Sequence, residues 1–233
     1  MISQTHGSRQ PPRPMTRVVV TCGPSYEPLD EVRRLTNFST GELGLLLSNA
    51  LSSAGYEVLC FKGVGASSHV KVMGGAHVMP FTTNDTLLSE LEAIEEPETV
   101  AAVFHTAALC DFRVKSVHRG DGTEIAAPKL PSRAGELILT LAPAEKVISH
   151  MRRIFPVSRI LGWKFELNGS RADSLLAGVR QIEENRTDGC VVNGDAYGPG
   201  FGFVEPGEPL VHCADKSELC SHLVGWLGLE VAR

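Results

Sequence analysis

The chain has 233 residues, 42% of them apolar and 21% charged, with a formal net charge of −5. Such a composition buries a proper core in one large domain or two small ones, and its acidity excludes a protein that holds nucleic acid through a basic face. No apolar run approaches the roughly 20 residues that span a bilayer. Residues 1 to 16 lack the apolar core of a signal peptide and read as a disordered leader ahead of a domain over 17–230. Six cysteines, at 22, 60, 110, 190, 213 and 220, form no Cys-x-x-Cys pair, and without a secretion signal they read as reduced thiols of a cytoplasmic protein.

From Arg17 to Cys22 a β-branched run suits a strand buried on both faces, and it breaks at Gly23-Pro24. Thr40 to Ala54 places Leu43, Leu46, Leu47, Ala50 and Leu51 on one helical face, with Gly55 as the stop. Tyr56 to Phe61 is a second strand, 63–75 a glycine- and serine-rich loop, and His77 to Phe81 a third strand. Asn84 can cap the helix that follows. Val100 to Phe104 is a fourth strand, leading into His105-Thr106-Ala107-Ala108. The polar stretch Lys115 to Ala134, with two glycines and two prolines, reads as a long loop, and Glu136 to Leu141 as a strand. Pro143 then opens a helix to Arg153. Ser158 to Trp163 and Gly189 to Asn193 are strands flanking a helix capped at Ser170 or Asp173. A hairpin of 201–204 and 210–212 turns at Pro206-Gly207, and Asp215 caps the last helix. This alternation predicts a doubly wound, mostly parallel, Rossmann-like α/β sheet, with ligands beyond the carboxyl ends of its strands near 22–41 and 105–112.

Several residues at that edge have chemistry open to them. Gly23 permits an unusual turn, Ser25 lies in that turn, and the segment Ser39, Thr40 and Gly41 brings helix-start amides and hydroxyls that suit an anion, although a plain N-cap uses the same residues. Asn37 can donate to an oxyanion or make an Asx-type turn. Arg33 can grip a carboxylate or phosphate, as Arg34 beside it can simply be solvated. Asp111 can take ribose hydroxyls. Lys129, Lys146 and Lys164 can serve phosphates or merely face water. The eight histidines show no metal-ligand spacing, and neither GxGxxG nor the P-loop pattern is present.

Taken together, the stretch VTCGPSYEPLDEVRRLTNFSTGELG resembles the signature of the phosphopantothenoylcysteine synthetases, ligases of coenzyme A biosynthesis. The likeness continues through HTAALCDFRV, PKL, ELILTLAPAEKVI, ILGWKFEL, GCVVNGD and DKSELCSHLVGWL, in the family's order over about 17–228. It implies a ligase that activates 4′-phosphopantothenate as an acyl-nucleotide with CTP or ATP and Mg²⁺, then transfers the acyl group to cysteine. It also implies a Rossmann-like homodimer whose extension, here 115–141, reaches the partner. Carried over, Asn37 assists the acyl-nucleotide step, Arg33 and Lys129 serve the reaction, and Asp111 lies near the nucleotide sugar. Gly23, Ser25, Ser39, Thr40, Gly41, Ala107, Ala108, the Pro143-to-Lys146 turn, Trp163 and Lys164 match nucleotide- or phosphate-contacting positions, and Arg180 stands on the helix where many bacterial members carry two lysines. Because the chain starts directly at the synthetase strand, the resemblance implies no flavin.

Three positions depart from the pattern. Pro24 replaces a glycine and removes an amide donor. Trp163 stands for a phenylalanine. The third lies on the helix before Gly189, which offers Arg180 and Arg186, with Gln181 and Asn185 where lysines are expected. A nucleotide- or phosphopantothenate-binding protein of the same fold, weakened in catalysis, is the competing reading. An NAD(P)-dependent oxidoreductase rests on fold analogy alone.

Overall fold

The computed structural model describes residues 16–228 apart from Ala134, so all of the expected leader except Thr16 lies outside the described residues. The first half of the chain runs β1 (Arg17–Cys22), β2 (Tyr26–Pro28), β3 (Arg34–Thr36), α1 (Glu42–Ser53), β4 (Glu57–Gly63), β5 (Ala76–Phe81), α2 (Asn84–Glu92) and β6 (Val100–His105). The second half runs β7 (Phe112–Arg119), β8 (Leu137–Pro143), α3 (Val147–Ile154), β9 (Arg159–Phe165), α4 (Arg171–Asn185), β10 (Gly189–Asn193), β11 (Phe201–Val204), β12 (Val211–Cys213) and α5 (Lys216–Gly228).

Eight strands form one sheet in the order β12-β11-β10-β9-β6-β1-β4-β5. The six from β10 to β5 are parallel, and β11 and β12 add an antiparallel edge. Helical crossovers put apolar cover on both faces, which is why β1 is apolar at nearly every position. Val18, Val20 and Cys22 pack with Leu45, Leu47 and Leu51 of α1 and Leu219, Leu223 and Trp226 of α5. Val19, turned the other way, packs with Leu87 and Leu91 of α2, Met151 of α3 and Phe155 just after it. All six cysteines are buried and free. Cys22 and Cys60 bring their sulfurs to 3.9 Å, and burial pushes Cys190 up to about 12 and Cys220 to about 11. The strand order reverses between β1 and β6, where a doubly wound sheet opens its crevice.

Four expectations are corrected. Helix α1 starts at Glu42 behind Gly41, whose φ of 73° is left-handed, and neither Ser39 nor Thr40 is its N-cap. Helix α2 is capped by Thr83 in a reciprocal box with Thr86. Asn84 sits inside it at 2% exposure and donates instead to the carbonyls of Cys110 (2.8 Å) and Glu145 (2.9 Å). The supposed loop over 115–134 is strand as far as Arg119, paired antiparallel with β8 in a ribbon separate from the main sheet. Phe112 and Val114 alternate with Arg113 and Lys115, but the register shifts between Val114 and Ser116, so the alternation breaks before Val117, the only buried residue of the strand. Pro143 does not start a helix. It ends β8 opposite Phe112, and α3 begins only at Val147.

Candidate active site

The loops that leave β1 and β6 are fastened to each other by backbone. The Ala108 N–H donates to the Gly23 carbonyl (3.0 Å) and the Ser25 N–H to the Ala108 carbonyl (3.3 Å). A parallel bridge between Pro24 and Ala108 results. Because this bridge draws on the carbonyl of residue 23 and the amide of residue 25, the N–H that Pro24 lacks is one the pairing does not need. Pro24 lies so close to Gly63 that a Cβ there would stand 2.1 Å from the Pro24 carbonyl oxygen. Side chains reinforce the seam. The Ser25 hydroxyl accepts from the Cys110 N–H (2.8 Å), and the Thr36 hydroxyl donates to the Ser25 carbonyl (2.7 Å).

Asn37 neither makes a local turn nor stands free. Its Nδ2 donates across the crevice to the carbonyls of Leu109 (2.8 Å) and, more weakly, Ala108 (3.4 Å). The rest of this exposed side chain is left at the crevice mouth. Behind it, α1 begins against the turn after β1. Gly41 has room for no side chain, since a Cβ would meet Gly23 at 3.2 Å and Ala66 at 3.0 Å. The Thr40 hydroxyl accepts from the Glu42 N–H (3.2 Å), and the Thr40 carbonyl accepts from Ser68 (3.0 Å). The loop after β4, with Ala66 and Ser68, is thus a third wall of the crevice. No local signal in its Gly-Ser composition announces that.

Lys129 is tied to the turn between β2 and β3 by its neighbours. The Pro128 carbonyl accepts from the Glu31 N–H (2.9 Å), and the Leu130 N–H donates to Asp30 (3.0 Å). The covered Asp30 carboxylate also accepts from the Val32 and Arg33 amides and from the Arg33 guanidinium at 2.7 Å. The Leu130 N–H foremost, then those of Val32 and Arg33, hold its carboxyl at about 2, so the clasp stays ionised at any physiological pH. Arg33 grips this carboxylate and the Leu130 carbonyl (3.2 Å) through one nitrogen, leaving its other donors for a ligand. The Lys129 side chain, pinned on both flanks, is exposed. On the β6 side, the Asp111 carbonyl accepts from the Ala144 N–H (2.9 Å), which draws the exposed Asp111 and Lys146 to one edge.

His105, at the end of β6, is buried and shares a 2.8 Å hydrogen bond with Thr21. Burial pushes it down to about 4, so its ring is neutral at pH 7 and serves the core. Ala107 is held over the same threonine, its N–H 3.4 Å from the hydroxyl.

Farther along the carboxyl edge, the sites are looser. Trp163 Nε1 and Asn193 Oδ1, on adjacent strands, are buried without hydrogen-bond partners among the described residues. Lys164 pairs with Glu166 at 3.1 Å. A cavity of about 480 Å³ opens beside them, lined by Phe165, Asn193, Gly194, Asp195, Gly198 and Pro199. Arg180 is not gathered with the others. It is an exposed residue of α4, and it adds only a little to the lowering of the Asp173 carboxyl, which comes first from the hydroxyl and N–H of Ser170. Asn193, Phe165 and the 194–199 loop carry no site signal in the sequence beyond the strand that ends at Asn193.

A model of the DNA/pantothenate metabolism flavoprotein C-terminal domain matches residues 15–206. The chain belongs to that family. Among curated relatives, the coenzyme A biosynthesis bifunctional protein CoaBC of Thermococcus kodakarensis is 29% identical over 76% of this chain and 41% of its own length. The protein of the same name from Methanocaldococcus jannaschii is 30% identical over 65% of this chain and 34% of its own. A cysteine/cysteine sulfinic acid decarboxylase from an unknown prokaryotic organism is 24% identical over 80% and 48%. The chain therefore spans less than half the length of these relatives. The DNA/pantothenate metabolism flavoprotein of Streptococcus pneumoniae superposes with a TM-score of 0.81 at 21% identity, covering 92% of this chain and 99% of that one. A Cab2 mutant in complex with phosphopantothenate-cysteine superposes at 0.69 with 17% identity, over 94% and 89%. At these identities the superpositions establish the Rossmann-like fold.

Proposed function

We propose that the chain is a phosphopantothenate–cysteine ligase that works through an acyl-nucleotide formed from CTP or ATP. The observation that carries this reading is the seam between the loops after β1 and β6. Asn37 is bonded across it to the Leu109 carbonyl at 2.8 Å, and the Asp30 clasp ties Arg33 to the segment that carries Lys129. A carboxylate oxygen of phosphopantothenate attacks the α-phosphorus, pyrophosphate leaves, and a mixed anhydride remains. The cysteine amine then adds to the acyl carbon, loses a proton, and expels the nucleoside monophosphate.

Both substrates are anionic, and the leaving group carries more charge still. Lys129 and the free donors of Arg33 oppose that charge, while the Asn37 amide and the backbone near Ala107 orient the acyl group. Among the described residues no cluster of three or more His, Cys, Asp or Glu could hold a metal ion. Mg²⁺ would come with the nucleotide as the counter-ion of its phosphates, and the exposed Asp111 would be a carboxylate to hold it. The nucleoside extends from Asp111 and Lys146 toward Trp163, Lys164 and the cavity at the ends of β9 and β10. Arg180 has no part in this arrangement. The ribbon of β7 and β8, which leaves Phe112, Ile138 and Leu141 exposed, meets a second copy in a homodimer. Sedimentation that gives only a monomer at micromolar concentration refutes that element.

Pyrophosphate release tests the reading. It should require phosphopantothenate and one of the two nucleotides. In Asn37→Asp, pyrophosphate should form while amide formation lags, so that acyl-nucleotide accumulates. A variant impaired equally in both steps removes the role assigned to Asn37.

A further inference from the structure

The cavity at the ends of β9 and β10 has one wall made of the segment from Gly194 to Gly200, which bridges β10 and β11. Its backbone is folded on itself and on the end of β9. The Tyr197 and Gly198 amides both donate to the Gly194 carbonyl at 3.1 Å, and the Ala196 N–H donates to the Glu166 carbonyl at 3.1 Å. The glycines on either side of Tyr197 give this segment little stiffness of its own. One side chain supplies it. Tyr197 is 2% exposed, and its hydroxyl accepts from Arg171 Nη2 at 2.7 Å while lying 2.8 Å from His212 Nδ1. The Arg171 guanidinium also sits over the Tyr197 ring at 4.3 Å, and the His212 ring stacks on it at 5.8 Å. Gly202 leaves the ring no slack, because a Cβ there would stand 2.5 Å from it.

This cluster joins three elements that otherwise meet only at the sheet edge. Arg171 is the first residue of α4, His212 lies on β12, and Tyr197 belongs to the wall. None of Arg171, His212 and Tyr197 lines the cavity, so their contribution reaches it through the backbone on either side of Tyr197, where Gly194, Asp195, Gly198 and Pro199 form the lining. Inside, the cavity presents the 61% exposed Phe165 as a flat apolar face and Asn193 as an amide. An aromatic face beside an amide suits a planar heterocycle with polar edges.

We infer that Tyr197 is a positioning residue for the nucleoside end of the nucleotide, holding the Gly194–Gly200 wall through Arg171 and His212 at the spacing a heterocycle needs. The inference rests on the nucleotide-dependent reading above, and its test separates the two. With the full chain, Mg-ATP and Mg-CTP are titrated by calorimetry, and amide hydrogen exchange is followed over 194–200. Tyr197→Phe keeps the ring and removes the hydroxyl. It should weaken whichever nucleotide binds by about tenfold, the weight of one charge-assisted hydrogen bond, and speed exchange over 194–200. Phosphopantothenate affinity should stay as it is. His212→Ala should do the same, and His212→Asn, which returns a polar atom near the Nδ1 position, should recover most of the loss.

A Tyr197→Phe protein with lowered melting temperature and unchanged nucleotide affinity overturns the inference and leaves a structural clasp. A wild-type chain that binds neither nucleotide overturns it as well. A wild-type chain that binds nucleotide, responds to Tyr197→Phe as described, and yet releases no pyrophosphate supports the positioning role and sinks only the ligase.

Discussion

The two ends of the carboxyl edge are built in different ways. Around β1 and β6 the loops are joined backbone to backbone, and Asn37 and the Asp30 clasp only complete a frame already closed by Gly23, Ser25 and Ala108. Around β9 and β10 the backbone bonds of the wall reach only the end of β9, its tie to α4 and β12 is made by side chains, and Trp163 Nε1 and Asn193 Oδ1 are buried without partners among the described residues. Backbone seams leave little freedom and suit the place where reacting atoms must be held within a fraction of an ångström. Side-chain clasps can be tuned one residue at a time, which suits the choice between one nucleotide and another. Substitutions in the first region should therefore damage chemistry or folding, and those in the second should shift affinity.

The largest expected effect follows from Asn37→Ala. If its amide stabilises the acyl-transfer step, amide formation should fall by about 10²- to 10³-fold, measured by rapid quench. A fall below tenfold would return Asn37 to a loop-tying role. Acidification should act next, through His105. Above pH 6.5 the ring is neutral in both folded and unfolded chains and contributes nothing to the pH dependence. Below 6.5 the unfolded chain takes up a proton that the folded one refuses until about pH 4. Stability should thus fall by about 3 kcal/mol between those limits, and His105→Gln should remove most of that slope in urea titrations.

Gly63→Ala comes third. The new methyl would collide with the Pro24 carbonyl at 2.1 Å, and a backbone neighbour cannot swing aside, so the crevice frame should lose about 2 kcal/mol. Equal denaturation midpoints for the variant and wild type would show that the seam gives. The smallest effect belongs to the tunable region. Trp163→Phe removes a buried donor that has no partner and should leave stability unchanged or raised by about 1 kcal/mol. Weakened nucleotide affinity in that variant would show that the indole N–H meets the nucleotide, and unchanged affinity would limit the contact at Trp163 to its ring.

Much of the frame was legible because its causes are local. The β-branched run of β1, the strand Gly189–Asn193 and the caps at Ser170 and Asp215 came out where they were expected, since burial on two faces and capping leave a short-range signature. The ribbon strand β7 did not, because its alternation of Phe112 and Val114 is broken by a register shift before Val117. Asn37 shows the same limit for the site. By residue type it was as good a turn former as a donor, and what decides between them is the Leu109 carbonyl, 72 positions away in the chain. Lys129 acquires its place from the Pro128 carbonyl, which accepts from the Glu31 N–H, and the Leu130 N–H, which donates to Asp30, contacts that spacing cannot announce. Tyr197 was invisible for a related reason, as its partners lie on α4 and β12.

The central claim is that the β1–β6 crevice forms an acyl-nucleotide before cysteine takes part. Wild-type protein should therefore be mixed with phosphopantothenate and Mg-CTP or Mg-ATP, without cysteine, quenched within one turnover, and analysed by mass spectrometry. The account predicts a phosphopantothenoyl-nucleotide and pyrophosphate in equal amounts, discharged to the amide and nucleoside monophosphate when cysteine is added. Well-folded protein that yields neither species with either nucleotide would contradict it.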